Sequence, residues 1–229
     1  GVAVPLGFGG SLGAAARDAR AAGFETAALT WRFDRTGFAG DAAVVRASSL
    51  TATSVHAPFS AASARPHGVN ALWEDGEEGD AFADILMDCA EDCAAARIPV
   101  MVAHVTLGNA PPRVSERGIE RWARIGAHAS ALGVRIALET MESAPHVRAL
   151  ADALDTSVFG ICYDAGHAQA YTPHEDWLTD YAGRIFAVHL HDNPGKTAPG
   201  LPDTRDDTHY LPYDGVRDWR AAMHALARA

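Results

Sequence analysis

Five short apolar runs in this sequence each close on a residue that can hold a cation or move a proton. His56 stands in SVHAPF, His104 in VAHVTLG, Glu139 in ALETM and His189 in VHLHDN, while CYDAGHA carries Asp164 with His167 three residues beyond. Imidazole nitrogens mixed with carboxylate oxygens suit Zn²⁺, Mn²⁺, Co²⁺ or Fe²⁺ rather than an all-oxygen Ca²⁺ cage. One such residue carries little weight, because a single His or Asp at a strand end commonly caps a turn or satisfies a loop. Five at the same end of five successive runs point to one site. Asp207 and His209, two apart in RDDTHYLPYDG, add a lid or a second metal site if their loop folds over the others. His67, His128, His146, His174 and His224 lack such company and are read as surface residues.

The elements that must position these residues are read from hydrophobic period and turn chemistry. Short β-type runs at 2–6, 25–30, 52–57, 98–105, 134–140, 158–164 and 185–192 alternate with helical stretches. The helices fall at 11–23, to about Val45, near 76–97, at 115–133, around 146–154, near 173–181 with Pro173 in the first turn, and at 215–229. Ser11 and Ser115 are predicted N-caps, and Gly23 a helix stop. Seven strand–helix units without a composition break predict one domain over 1–229. The connection 193–213 is long for a compact domain, and loops of that length are usually functional.

Strands alternating with helices imply a parallel sheet covered by helices, either open and doubly wound or closed into a (β/α)8 TIM barrel. An open nucleotide-binding sheet carries a glycine-rich first turn. GFGGSLG (7–13) misses the G-x-G-x-x-G spacing, and no acidic residue is placed to hold a ribose. A barrel gathers reactive side chains at the C-terminal ends of several strands, which is the pattern here. Period two in VHLHDN sends Phe186, Val188 and Leu190 outward to the helices, and Ala187, His189 and His191 inward.

The 229 residues carry a net charge of −10, which disfavours broad attraction to phosphate backbones or anionic membranes. A small molecule is the expected partner and nucleic acid is not. No apolar run approaches the roughly 18 residues that span a bilayer, and residues 1–10 lack the basic start of a signal peptide, so a cytoplasmic location is expected. Cys89 and Cys93 sit four apart in an alanine-rich helical stretch and are read, like Cys162, without a disulfide framework.

At these residues the chain resembles the xylose-isomerase-like TIM-barrel superfamily, which includes sugar (phosphate) isomerases and epimerases and the endonuclease-IV class of abasic-site nucleases. The likeness covers nearly the whole chain. It is most specific in LET, in the Asp-x-x-His of YDAGH, in HLHDN, and in the Asp-x-His of DDTHYLPYDG followed by DW. The resemblance implies that Glu139, Asp164 and His189 are the core ligands of a divalent metal (Zn, Mn, Co or Mg, with Zn or Mn favoured), and that Glu139 also serves as acid/base. By the same likeness His167 contacts substrate in isomerases and a further metal in the nucleases. His56, His104, Asp207 and His209 match positions that hold extra zinc ions in the nucleases, or line the substrate pocket in isomerases. His191 and Asp192 are read as higher, nearer the loop and the substrate, and Trp31, with Phe33 and Trp73, as pocket lining.

The family's last core ligand is a glutamate on an eighth strand, and no eighth strand follows within the 229 residues. The expectation is therefore a barrel truncated or open at one edge, which invites homo-oligomerisation and puts the activity of this chain in question. The leading reading is a divalent-metal-dependent isomerase or epimerase of a small sugar or polyol, or a related lyase, working through a metal-stabilised enediolate. The competing readings are a zinc-dependent abasic-site endonuclease, with Arg32 and Arg35 beside aromatics to meet DNA, and a degenerate barrel that binds a metabolite without turning it over.

Overall fold

Alternate residues of the strands pack into two different apolar clusters, and that division builds the site. The computed structural model describes residues 2–3, 11–60, 68–197 and 206–229. Its strands are β1 (Val2–Ala3), β2 (Thr26–Thr30), β3 (Thr51–His56), β4 (Val100–Ala103), β5 (Arg135–Glu139), β6 (Phe159–Asp164) and β7 (Ile185–His189). They form one seven-stranded parallel sheet in chain order, the incomplete form of a (β/α)8 barrel. Among the described residues β1 and β7 are its edges. The expected strand residues 4–6, the glycine-rich 7–10 and His67 lie outside the described residues.

Met101, Ile136, Leu138 and Ile161 face the helices and join the main core. Val100, Val102, Ala137 and Cys162 form a smaller cluster on the opposite, barrel face. Because the strand period is two, the barrel-facing series continues upward from Ala137 to Glu139 and from Cys162 to Asp164. Small residues at the base leave room for the polar ends above them. Cys89, Cys93 and Cys162 are all buried free thiols.

The helices are α1 (Leu12–Ala21), α2 (Arg35–Ala47), α3 (Glu77–Ala96), α4 (Glu116–Ala131), α5 (Ala144–Ala153), α6 (Ala165–Ala170), α7 (Trp177–Asp180) and α8 (Trp219–Leu226), with a 3-10 turn at Gly68–Trp73. Ser11 and Ser115 accept from the backbone N–H three residues on, as their types predict. Among the described residues no helix is long and apolar enough to cross a membrane.

Two local expectations are corrected. The helix expected near 173–181 is shortened to α7, with Pro173 in the turn before it, and α6 is a further short helix directly after β6. Asp164 caps α6 and Asp176 caps α7, so each helix begins just after its acceptor. Phe186 does not face the helices. The register of β6 against β7 shifts between Ile161 and Cys162, and this bulge turns Phe186 onto the barrel-face cluster, over Gly160. A Cβ on Gly160 would lie 2.6 Å from that ring, so the missing side chain makes the turn feasible. Val188 and Leu190 do point outward, but more than a third of each is exposed, without a covering helix among the described residues.

Candidate metal centre

Glu139, at the end of β5, is 1% exposed and ringed by imidazoles from four other elements. His189 Nδ1 lies 2.9 Å from its Oε1 and His167 Nδ1 lies 3.6 Å from the same atom. His56 Nε2 and His104 Nε2 each lie 3.2 Å from Oε2. Asp164, at the end of β6, is equally buried. His191 Nε2 stands 2.9 Å from its Oδ1, and His189 Nδ1 3.5 Å from its Oδ2. Asp207 reaches in from the segment after β7, with His167 Nε2 3.2 Å and His209 Nδ1 3.1 Å from its oxygens.

The Asp-x-x-His spacing has a local cause. Asp164 is the N-cap of α6, and its Oδ1 accepts the backbone N–H of His167 at 2.7 Å, which sets the helix and its histidine against the strand end. His167 Nδ1 meets the Thr140 carbonyl at 3.0 Å, so that nitrogen carries the proton, and Nε2 is turned to Asp207.

Several of these atoms lie close without hydrogen-bonding to one another. Glu139 Oε2, both His191 nitrogens and Asp207 Oδ1 are buried and have no hydrogen-bond partner among the described residues, despite imidazoles about them. Lone pairs that converge on shared points rather than on each other fit a cation. Three sets have all donor atoms within 4.8 Å: His56, His104 and Glu139; Glu139, Asp164 and His167; and His167, His191, Asp207 and His209. The mixed N/O chemistry of each suits a borderline divalent ion.

Charges follow the same arrangement. Burial favours the neutral form of Glu139, yet His104 and His189 hold its carboxyl well below the usual range. Burial likewise opposes ionisation of Asp164, but the imidazoles of His189 and His191 close to its oxygens bring it down to about 2. His167 is pushed up to about 9, because the bond to Asp207 and the field of Asp164 outweigh its burial. His104 goes the other way: burial lowers it more than Glu139 raises it.

A family model described as xylose isomerase-like TIM barrel matches residues 16–229. The chain belongs to the xylose isomerase-like TIM-barrel family. Its sequence is 33% identical over 110 residues to the uncharacterized protein y4fM of Sinorhizobium fredii (strain NBRC 101917 / NGR234), covering 45% of this chain. The match spans about a third (32%) of that relative's length. Among solved structures, a xylose isomerase domain protein from Planctomyces limnophilus aligns with TM-score 0.73 at 16% identity, covering 99% of this chain and 82% of that one. The IolI protein with a bound zinc atom aligns at 0.72 and 14%, covering 99% and 84%. D-psicose 3-epimerase with D-tagatose, from Clostridium cellulolyticum H10, aligns at 0.69 and 13%, covering 98% and 76%. At these identities the structural likeness speaks for the fold.

Within this xylose isomerase-like barrel, most residues singled out from sequence do converge: His56, His104, Glu139, Asp164, His167, His189, His191, Asp207 and His209. Trp31 does not. It continues the helix-facing series of Ala27 and Leu29 in the core, and its indole N–H donates to Asp92 on α3 at 2.8 Å. Trp73 is likewise anchored in the core, through Val105 O at 2.7 Å. His146, read as a surface residue, is buried against the Trp73 ring with Nδ1 2.7 Å from Ser143 Oγ.

Four contributors were missed. Phe59 stacks on His104 at 4.2 Å, and Thr140 Oγ1 accepts the Asp164 N–H at 3.0 Å. The Tyr171 ring lies 5.4 Å from that of His167. Glu142 keeps one carboxylate oxygen buried with no hydrogen-bond partner among the described residues. Adjacency was the available signal for Thr140 and Glu142, since in LETME Thr140 directly follows Glu139 and Glu142 lies three residues beyond it.

Proposed function

We propose that this chain is a divalent-metal-dependent isomerase or epimerase of a small sugar or polyol. The observation that carries this reading is the pair of buried carboxylates, Glu139 and Asp164, whose surrounding donor atoms converge on shared points at the strand ends. Glu139, Asp164 and His189 would hold the ion, zinc or manganese being the best match to their chemistry. When bound, it supplies positive charge opposite substrate oxygens as negative charge develops on them. The epimerases among the structural neighbours support the substrate class.

The protein's own groups divide the remaining work. Glu139 is held ionised by its imidazoles, which makes it a ligand and a poor proton acceptor. Glu142 is the nearby carboxylate that no imidazole among the described residues holds, and we assign it the proton transfer beside the substrate carbonyl. It lies three residues beyond Glu139, past the end of β5, with one oxygen buried and without a hydrogen-bond partner among the described residues. His167, with Nδ1–H on the Thr140 carbonyl and Nε2 on Asp207, fixes the position of Asp207 at the mouth. Phe59, stacked on His104, keeps water from that side.

The test is deuterium wash-in from D₂O at the carbon next to the carbonyl of D-tagatose and D-fructose, followed by NMR on manganese- or zinc-loaded protein. Exchange is expected, and Glu142→Gln should abolish it while leaving metal content unchanged. Loaded protein that exchanges neither ketose would overturn the assignment to these sugars.

A second reading, metal-assisted phosphodiester hydrolysis at abasic sites, draws on one observation: the three donor sets are chained through Glu139 and His167. Against it, Arg35 is already bound by Asp88, Glu91 and Asp92, and Arg32 by Asp41, so neither guanidinium is free for a phosphate. Cleavage of an abasic duplex by the zinc-loaded protein would favour this reading over the first.

A further inference from the structure

We propose that residues 206–219 are a strap fastened to the barrel chiefly by one carboxylate, that of Asp192, and that Asp192 is the positioning residue that sets Asp207 and His209 over the metal centre. The purpose of the strap rests on the metal reading above; the fastening itself does not.

Asp192 is wholly buried, yet its side chain is turned away from the imidazoles and toward the strap. Its Oδ2 accepts the Tyr213 N–H at 3.2 Å and the Trp219 indole N–H at 2.6 Å. Its Oδ1 accepts from the N–H groups of Asn193 at 2.9 Å and Arg217 at 3.3 Å. Its backbone forms an antiparallel bridge with Tyr210, N–H to carbonyl in both directions at 2.8 Å. Gly215 lets the strap come this close, since a Cβ there would lie 2.2 Å from Oδ1 and 2.4 Å from the Asn193 carbonyl. A buried carboxylate satisfied by several N–H donors is a strong, directional fastening.

Among the described residues, the middle of the strap has two other hydrogen-bonded ties besides the Tyr210 bridge, Val216 N–H on the Asn193 carbonyl at 3.1 Å and the Arg217 guanidinium on the Ala165 carbonyl and the Tyr163 hydroxyl. Leu211, Tyr213 and Val216 are 72%, 78% and 67% exposed, so apolar burial, the usual adhesive, is missing there. His209 and Tyr213 have φ of 49° and 81°, a conformation unfavourable for side chains with a Cβ. Without the Asp192 carboxylate, the strained backbone at Tyr213 loses its direct fastening, and the Tyr210 bridge and the Arg217 bond to the Ala165 carbonyl at 2.7 Å hold only the strap on either side of it. The strap's other tie is the set His167, His191, Asp207 and His209, two donors from the barrel and two from the strap. Four protein donors complete a tetrahedral zinc site and leave no place for substrate. An ion there would therefore serve to hold the strap.

Hydrogen–deuterium exchange by mass spectrometry on the whole chain, metal-free, compares wild type with Asp192→Asn. The amide-bearing side chain keeps the shape but presents an N–H₂ to donors. Exchange in peptides covering 207–217 should speed by about tenfold or more, with peptides of β4 to β6 unchanged. Trp219→Phe, which removes one donor and keeps the ring bulk, should give a smaller change in the same peptides. Adding Zn²⁺ to Asp192→Asn should restore strap protection by tying it through the imidazoles. Strap exchange equal in wild type and both variants, or a rise spread evenly over β4 to β6, overturns the proposal. If wild type takes up no zinc, the metal reading fails, while the metal-free comparison still decides the fastening.

Discussion

Gly166→Ala puts one methyl group where the His191 imidazole already is. A Cβ built on Gly166 lies 2.0 Å from Cε1 and 2.3 Å from Nδ1 of that ring, and ordinary contact begins near 3.4 Å, so the ring must retreat by about 1.4 Å. It has little freedom to do so, being stacked on His209 at 3.8 Å and held 2.9 Å from Asp164. Overpacking of this kind costs about 1–3 kcal/mol, against at most about 1 kcal/mol gained from alanine in α6. With the full gain subtracted, the net loss is about 0–2 kcal/mol, which lowers Tm by up to about 8 °C in a chain of this size. Metal–ligand bonds tolerate errors of only about 0.2 Å, so zinc affinity at the His167, His191, Asp207 and His209 set should fall at least about tenfold. Competition with a chromophoric chelator and a thermal melt read the two effects. Adding His191→Ala removes the clash, so the double variant should recover its Tm without recovering zinc affinity. A single variant with wild-type Tm and wild-type zinc affinity would refute the packing described for this corner.

Three further outcomes are expected. Glu139→Gln removes the carboxylate shared by two donor sets, so bound metal per chain, measured by plasma emission, should drop; unchanged stoichiometry would exclude Glu139 as a ligand. In metal-free protein, the raised pKa of His167 stabilises the fold fully below its ordinary 6.5, and that contribution is lost as pH rises through about 9. Stability should therefore fall over that window, by at most about 1.4 kcal/mol per pH unit for this group. The lowered His104 acts below the window and does not offset the trend. With zinc the slope should reverse, because ligands bind deprotonated, and parallel slopes with and without zinc would count against the site. Arg121, buried on α4, donates to the carbonyls of Ala71, Leu72, Glu74 and Gly76 and pairs with Asp80. Arg121→Leu should cost about 3–5 kcal/mol in urea unfolding, and Arg121→Lys should not rescue it, since an ammonium cannot reach the same fan of acceptors.

Much of the site was legible because strand parity is a local rule. Once β5 and β6 are recognised, Ala137 with Glu139 and Cys162 with Asp164 must share a face, whatever the rest of the chain does. Asp164 is legible twice over, as a strand end and as the cap that spaces His167. The parity rule failed at Phe186, where a bulge set by pairing with β6 slips the register by one residue. It also could not say which face of β2 meets the barrel: Trp31 follows Leu29 into the helical layer and is claimed there by Asp92. His146 looked like a lone loop histidine because its partner, the Trp73 ring, is distant in sequence.

By itself the sequence determined the order of the strands and of most helices, the donors at each strand end, and the serine caps of α1 and α4, because all of these depend on neighbours a few residues away. Only the tertiary structure decided how the donors combine. Glu139 serves imidazoles from β3, β7, α6 and the end of β4, and Asp192 turns from the centre to hold the strap that brings Asp207 and His209 across. These are contacts between residues many tens of positions apart. They exist only when the sheet curves enough to bring its strand ends within a few ångströms of one another.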